Sequence, residues 1–158
     1  MAIAETHRGK SLKAEVRRVI RASRQRVFDA WTKPEEIMKW WGAPNSKILS
    51  AEADVQQGGS YKIRTTLCNS GEESTQERRE TSAAGEYLDV IPGQLLRFTW
   101  RPDWDTGEES IVTIELSDAP GGTELVLTHE GTFSEEWRNR YEQGWGCMMD
   151  RLATDLAK

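Results

Sequence analysis

The 158-residue sequence is poor in the residues that usually announce chemistry, with only 2 cysteines and 2 histidines. Cys68 and Cys147 lie far apart without a CxxC partner, which argues against a disulfide framework or a zinc knuckle. With His7 near the N-terminus, a histidine-based metal cluster or a complete Ser/His/Asp set has only His129 to draw on. The GxSxG, HExxH, dinucleotide-binding glycine and P-loop motifs are all missing. No apolar run approaches the ~20 residues of a membrane helix. Met1 to Ser11 carries no hydrophobic signal-peptide core, so a cytosolic protein is expected. Apolar residues are scarce overall, at 37% against 30% charged.

What is abundant is tryptophan, with 7 against 3 tyrosines and 3 phenylalanines. In so polar a chain these large flat side chains must carry much of the core. The length suits one domain, with residues 1–11 as a flexible tail and 12–158 as the folded unit. Met1 to Arg26 holds a charge balance of +6 and the remainder -11, for a net -5. In the basic leader Leu12, Ala14, Val16 and Ile20 alternate with Lys13, Glu15, Arg17 and Arg21, the pattern of a strand with one wet face. An acidic body opposes the attraction that supplies most non-specific nucleic-acid affinity, so no nucleic-acid partner is expected.

Periodicity and turn chemistry predict seven strands: Leu12–Ala22, Lys47–Val55, Ser60–Leu67, Ala83–Ile91, Gln94–Trp100, Glu109–Leu116 and Thr123–Glu130. Ser23 caps a short helix, Arg24–Trp31, and Pro34 opens a second with Ile37, Met38, Trp40 and Trp41 on its buried side. Gly42-Ala43-Pro44-Asn45 ends that helix, and the polar stretch Cys68–Ser82 reads as an exposed hairpin tip. Ser134 caps a long helix reaching about Ala157, in which Trp137, Tyr141, Trp145, Met148 and Leu152 share one face. That face must lie on the concave side of a curved antiparallel sheet. Gly144 and Gly146 interrupt the helix at about 1 kcal/mol each relative to alanine, which points to a close approach or a bend there.

The segments from Val16 to Ser23, from Val27 to Glu35 and Lys39-Trp40-Trp41-Gly42 carry a family resemblance. So do Ala53 to Gly59, Gly85-Glu86-Tyr87-Leu88, Leu96 to Trp100, Leu125 to Gly131 and Gly144-Trp145. Together they resemble the START-like (SRPBCC) superfamily, and within it the proteins related to the C-terminal domain of the activator of the heat-shock-protein-90 ATPase. Arg21-Ala22-Ser23, Lys33 and Gln56-Gln57 depart from the relatives' pattern at caps and turns, leaving core spacing intact. The resemblance implies an α+β helix-grip fold: a curved seven-stranded antiparallel sheet around a long C-terminal helix, with two short helices after the first strand. It also implies a cavity between helix and sheet that takes an apolar small molecule.

Phase assigns candidates for that cavity. The long helix offers Trp145, Met148, Met149 and Leu152, the short helices Trp31, Trp40 and Trp41, and the strands Tyr61, Ile63, Phe98, Trp100, Leu125 and Leu127. Each serves equally well as packed core, although as a group they favour a cleft. His129 shares the phase of Leu125 and Leu127, with a satisfied structural histidine favoured over a ligand-orienting one. Arg18 either holds a ligand carboxylate at the cavity mouth or pairs with Glu86 or Glu130, and Glu86 is itself a candidate polar anchor. Tyr61 offers a hydroxyl, and Cys147 lacks an activating base. The expectation is a non-enzymatic module binding an apolar small molecule or lipid, with no metal and no cofactor. Monomer and homodimer both stay open, and an exposed Trp104 or Trp137 would mark a dimer contact. The alternatives are a co-chaperone-like module acting on a heat-shock ATPase, and a cyclase or hydrolase using His129 with Tyr61 or Glu86.

Overall fold

The alternation in the first segment builds strand β1 (Leu12–Ile20), which buries Ala14, Val16 and Ile20 and exposes Lys13, Glu15 and Arg17. The Ser23 hydroxyl then accepts the Arg26 N–H at 3.2 Å and starts helix α1 (Arg24–Thr32). Pro34 sits in the first turn of α2 (Pro34–Trp40), with Glu35 and Glu36 at the positive end of its dipole. Six strands follow: β2 (Ser46–Ala53), β3 (Ser60–Cys68), β4 (Arg78–Ile91), β5 (Leu95–Pro102), β6 (Ser110–Ala119) and β7 (Gly122–Gly131). The last element is α3 (Glu135–Leu156), capped by the Ser134 hydroxyl, which accepts the Trp137 N–H. The computed structural model describes residues 11–42, 46–68, 78–102 and 109–157. His7, most of the expected tail, Ala43-Pro44-Asn45, the centre of the expected hairpin tip and Trp104 lie outside them.

All seven strands form one antiparallel sheet in the order β1-β7-β6-β5-β4-β3-β2, curved around α3 as the helix-grip expectation requires. Register places Val16 opposite Leu127, and Leu127 opposite Ile114, so the inward residues of β1, β7 and β6 stand in rows under the helix. Pro120-Gly121 makes the tight turn between β6 and β7, where Gly121 has φ 84°. That left-handed conformation is open to glycine and strains most other residues.

β4 starts at Arg78, well before the expected Ala83. The residues from Arg78 to Ser82 are polar, but they keep the two-residue phase of Ala83, so Thr81 faces inward opposite Thr65. An Arg64–Glu80 ion pair secures the outer face of the same stretch. Composition marked a loop where alternation extended a strand.

Tyr141, Trp145, Met149, Leu152 and Leu156 form the buried stripe of α3, so Met149 rather than Met148 occupies the core face. At Gly146 a Cβ would lie 3.4 Å from the Arg18 guanidinium, a contact that flexible side chain can accommodate, and Arg18 itself reaches Asp150 at 2.9 Å. A Cβ on Gly144 would meet nothing within 4 Å. Neither helical glycine is therefore required by a close backbone approach. No helix among the described residues is long and apolar enough to cross a membrane.

Candidate ligand-binding cavity

Five tryptophans converge between sheet and helix. Trp145 lies with its ring centroid 5.1 Å from Trp100, 5.9 Å from Trp41 and 6.2 Å from Trp31. Trp40 packs edge-on to Trp31 at 4.8 Å and donates its indole N–H to the Ala30 carbonyl. Edge and tilted contacts of this kind are favourable, but rigid rings meeting at wide angles do not fill space completely. A cavity of about 370 Å³ remains beside them. Trp41, Trp100, Trp145, Tyr141 and Trp137 form its aromatic wall, and Ile63, Thr65, Thr81, Ser82 and Ala83 supply the sheet side. Gly144, Met148 and Arg140 come from α3, and Gly42 and Ser46 from the α2–β2 corner.

Two polar features stand out in this apolar enclosure. The Thr65 and Thr81 hydroxyls are 2.9 Å apart across β3 and β4, and both residues are buried. Two hydroxyls carry two protons and their mutual bond uses one, so the pair on the cavity lining keeps one further O–H donor. Arg140 is the only charged side chain lining the space among the described residues. Its guanidinium lies 5.1 Å from the Trp137 ring centroid and donates to Glu136 at 3.0 Å.

Of the residues expected from phase, Trp41, Ile63, Trp100, Trp145 and Met148 line this cavity. Trp31, Tyr61 and Phe98 border a separate void of about 20 Å³ that also touches Trp41 and Ile63. Trp40, Leu125, Leu127, Met149 and Leu152 are core, each at most 1% exposed. Tyr61 donates its hydroxyl proton to the Thr99 carbonyl at 2.6 Å, and burial raises its pKa well above the usual tyrosine range. Trp137, expected as a free contact residue, is half-buried and forms part of the wall.

His129 lies behind Trp145 rather than in the cavity, with no exposed surface. The Trp145 indole N–H, which can only donate, points at Nδ1 from 3.0 Å, so Nδ1 must be the acceptor. Nε2 then carries the proton and donates to the Ser110 hydroxyl at 2.7 Å. A charged imidazolium would set two N–H groups against each other, and burial holds the pKa down at about 3.

The two expected charged anchors are elsewhere. Arg18 pairs with Asp150, not with a ligand site and not with Glu86 or Glu130, because α3 lies directly across from β1 at that point. Glu86 is exposed on the outer face, held by its backbone N–H donating to the Thr99 hydroxyl at 2.9 Å. Cys147 is a free, exposed thiol. Among the described residues no cluster of His, Cys, Asp and Glu is arranged to hold a metal ion.

Thr65, Thr81, Ser82, Gly144 and Arg140 were not anticipated as cavity residues. The inward phase running from Tyr61 and Ile63 to Thr65 was a usable signal, as was Ala83 for Thr81. Arg140 carried none, because a charged residue one position from Tyr141 looks like ordinary helix surface.

Sheet, long helix and the space between them define a helix-grip protein with an internal cavity of small-molecule size. More narrowly, the chain belongs to the family described as activator of Hsp90 ATPase homolog 1-like protein, whose family model matches residues 21–157. It is similar to protein CV1439 from Chromobacterium violaceum at 25% identity and TM-score 0.76, covering 92% of this chain and 98% of that one. The AHSA1 protein of Silicibacter pomeroyi matches at 22% identity and TM-score 0.75, over 92% of this chain and 98% of that one. An AHSA1-like protein from Aeromonas hydrophila shares the fold at 19% identity and TM-score 0.74, covering 90% of each chain. No curated protein sequence matches the chain.

Proposed function

We propose that this protein binds a small, largely apolar molecule in the cavity between α3 and strands β3 to β5. The supporting observation is the aromatic enclosure of about 370 Å³, which the surrounding tryptophans border without closing. Its size falls at the lower end of the ~300–1,000 Å³ typical of small-molecule sites, and an apolar wall with few polar groups is their usual composition. Met148 gives the wall an adaptable side chain, and the Thr65–Thr81 hydroxyl pair supplies one of its few polar groups. A cyclase or hydrolase reading needs an acid–base group facing the cavity, whereas His129 and Tyr61 commit their protons to Ser110 and Thr99.

The test is titration with N-phenyl-1-naphthylamine, a neutral apolar dye that brightens in dry sites. Wild-type protein is expected to bind it saturably. Gly144→Leu adds a bulky side chain to the exposed lining of the cavity at a helix position that favours leucine over glycine. This variant should fold, by circular dichroism, and lose binding at least tenfold. Absence of saturable binding to wild type, or wild-type binding by the folded variant, overturns the reading.

A further inference from the structure

The charges around the cavity narrow the class of molecule that fits it. Its described lining holds one cation, Arg140, and no carboxylate. The Arg140 side chain is 60% exposed, which sets it at the rim, whereas the Thr65–Thr81 pair is buried beneath. The guanidinium lies over the Trp137 ring at 5.1 Å, a cation–π contact. A planar fork of N–H donors has the shape to receive two oxygens at once.

Glu136 is the present partner of this fork, through one Nη2 bond at 3.0 Å. Both side chains of that i,i+4 pair are more than half exposed, so the contact is weak and exchangeable. One Nη2 bond leaves most of the guanidinium's five N–H donors for an incoming group. The net charge of -5 would repel an anion at long range, but at physiological salt such fields fade over about 8 Å. The rim arginine therefore decides what is attracted locally. Once an incoming group displaces the exposed Glu136 contact, the single guanidinium matches one negative charge, which suits a carboxylate better than a phosphate monoester carrying about -1.5 to -2.

Resting on the ligand-binding reading above, we infer that the cavity takes an amphipathic monocarboxylate, its apolar body against the tryptophans and its carboxylate on Arg140 at the rim. Arg18, a candidate anion site from strand phase, gives way in that role to a helix residue, because Arg140 lines the cavity and Arg18 does not.

The experiment displaces N-phenyl-1-naphthylamine from wild-type protein with 1-naphthaleneacetate or with its primary amide, which is nearly the same shape but uncharged. At pH 7.5 and physiological salt the acid should compete about tenfold or more better than the amide, as a charge-assisted contact requires. Raising the salt, or the exposed-site substitution Arg140→Gln, should bring that ratio close to one, and Arg140→Lys should preserve part of it. Equal competition by acid and amide in wild type refutes the carboxylate inference and leaves the cavity reading standing. A ratio that survives Arg140→Gln refutes the assignment to Arg140. Failure of the neutral dye to bind removes the cavity reading and the inference together.

Discussion

His129 should make the protein progressively less stable in mild acid. The imidazole is fully buried, its Nδ1 accepts from Trp145, and its pKa lies at about 3 against the ordinary 6.5 of an unfolded chain. Between those two values the unfolded state binds a proton that the native state refuses. Stability is therefore complete above pH 6.5 and falls as pH drops towards 3. One pKa unit is worth about 1.4 kcal/mol, so acidification from pH 7.5 to 5 should cost about 2 kcal/mol. That is a large share of the ~5–15 kcal/mol by which domains are usually stable. Aspartate and glutamate titrate near 4 in unfolded chains, so this window reports mainly on histidine. The assay is urea unfolding at pH 7.5, 6 and 5 in a His7→Gln background, which removes the other histidine. His129→Gln, whose amide oxygen can accept the Trp145 N–H, should flatten the dependence. Nitrogen NMR of the native protein should find the Nε2–H tautomer unchanged down to pH 5, whether or not that variant folds. A native imidazole titrating near 6.5, or stability that does not change across the window, would refute the reasoning.

Three further outcomes follow from the same geometry. Gly144→Ala meets no neighbour and removes a helix-breaking residue, so it should gain about 1 kcal/mol and raise Tm by about 2–4 °C in calorimetry; an unchanged or lower Tm counts against an open space beside Gly144. Trp145→Phe strands the buried Nδ1 of His129, whereas Trp31→Phe removes an indole N–H that has no hydrogen-bond partner among the described residues. Denaturant unfolding should therefore find Trp145→Phe more costly by about 1–3 kcal/mol, and equal losses would contradict the assigned hydrogen bond. Asp150→Asn breaks an ion pair whose side chains are 36% and 69% exposed, so it should cost less than about 1 kcal/mol and lose even that in high salt. A larger, salt-insensitive loss would show that Arg18 does more than tie α3 to β1.

The fold was legible because each element carried its own period and its own punctuation. Ser23, Pro34 and Ser134 stand at the helix starts their chemistry favours, and two-residue alternation identified the strands. The failures share a cause, which is that they depend on offsets between elements rather than on pattern within one. Met148 and Met149 differ by one residue and about 100° around α3, and only the seating of the helix on the sheet decides which is core and which faces the cavity. Arg18 was placed correctly in phase, but its partner lies 132 residues away on another element. Thr81 had the right phase as well, and the polar composition around it concealed that.

The tryptophans show the same division at the scale of the site. Their number marked an aromatic interior, and the mutual contacts of Trp31, Trp40, Trp41, Trp100 and Trp145 follow from positions that sequence phase identifies. Whether rings that meet also leave a space beside them depends on their angles and on what stands opposite. Here the lining between the rings includes Gly144 with no Cβ on the helix and a threonine pair and a small Ala83 on the sheet, so the space stays open where larger residues would have closed it. The cavity is thus specified as much by its small residues as by its large ones. That is why filling the single position 144 tests the ligand reading more directly than removing any one tryptophan, which would disturb the core and the cavity wall at once.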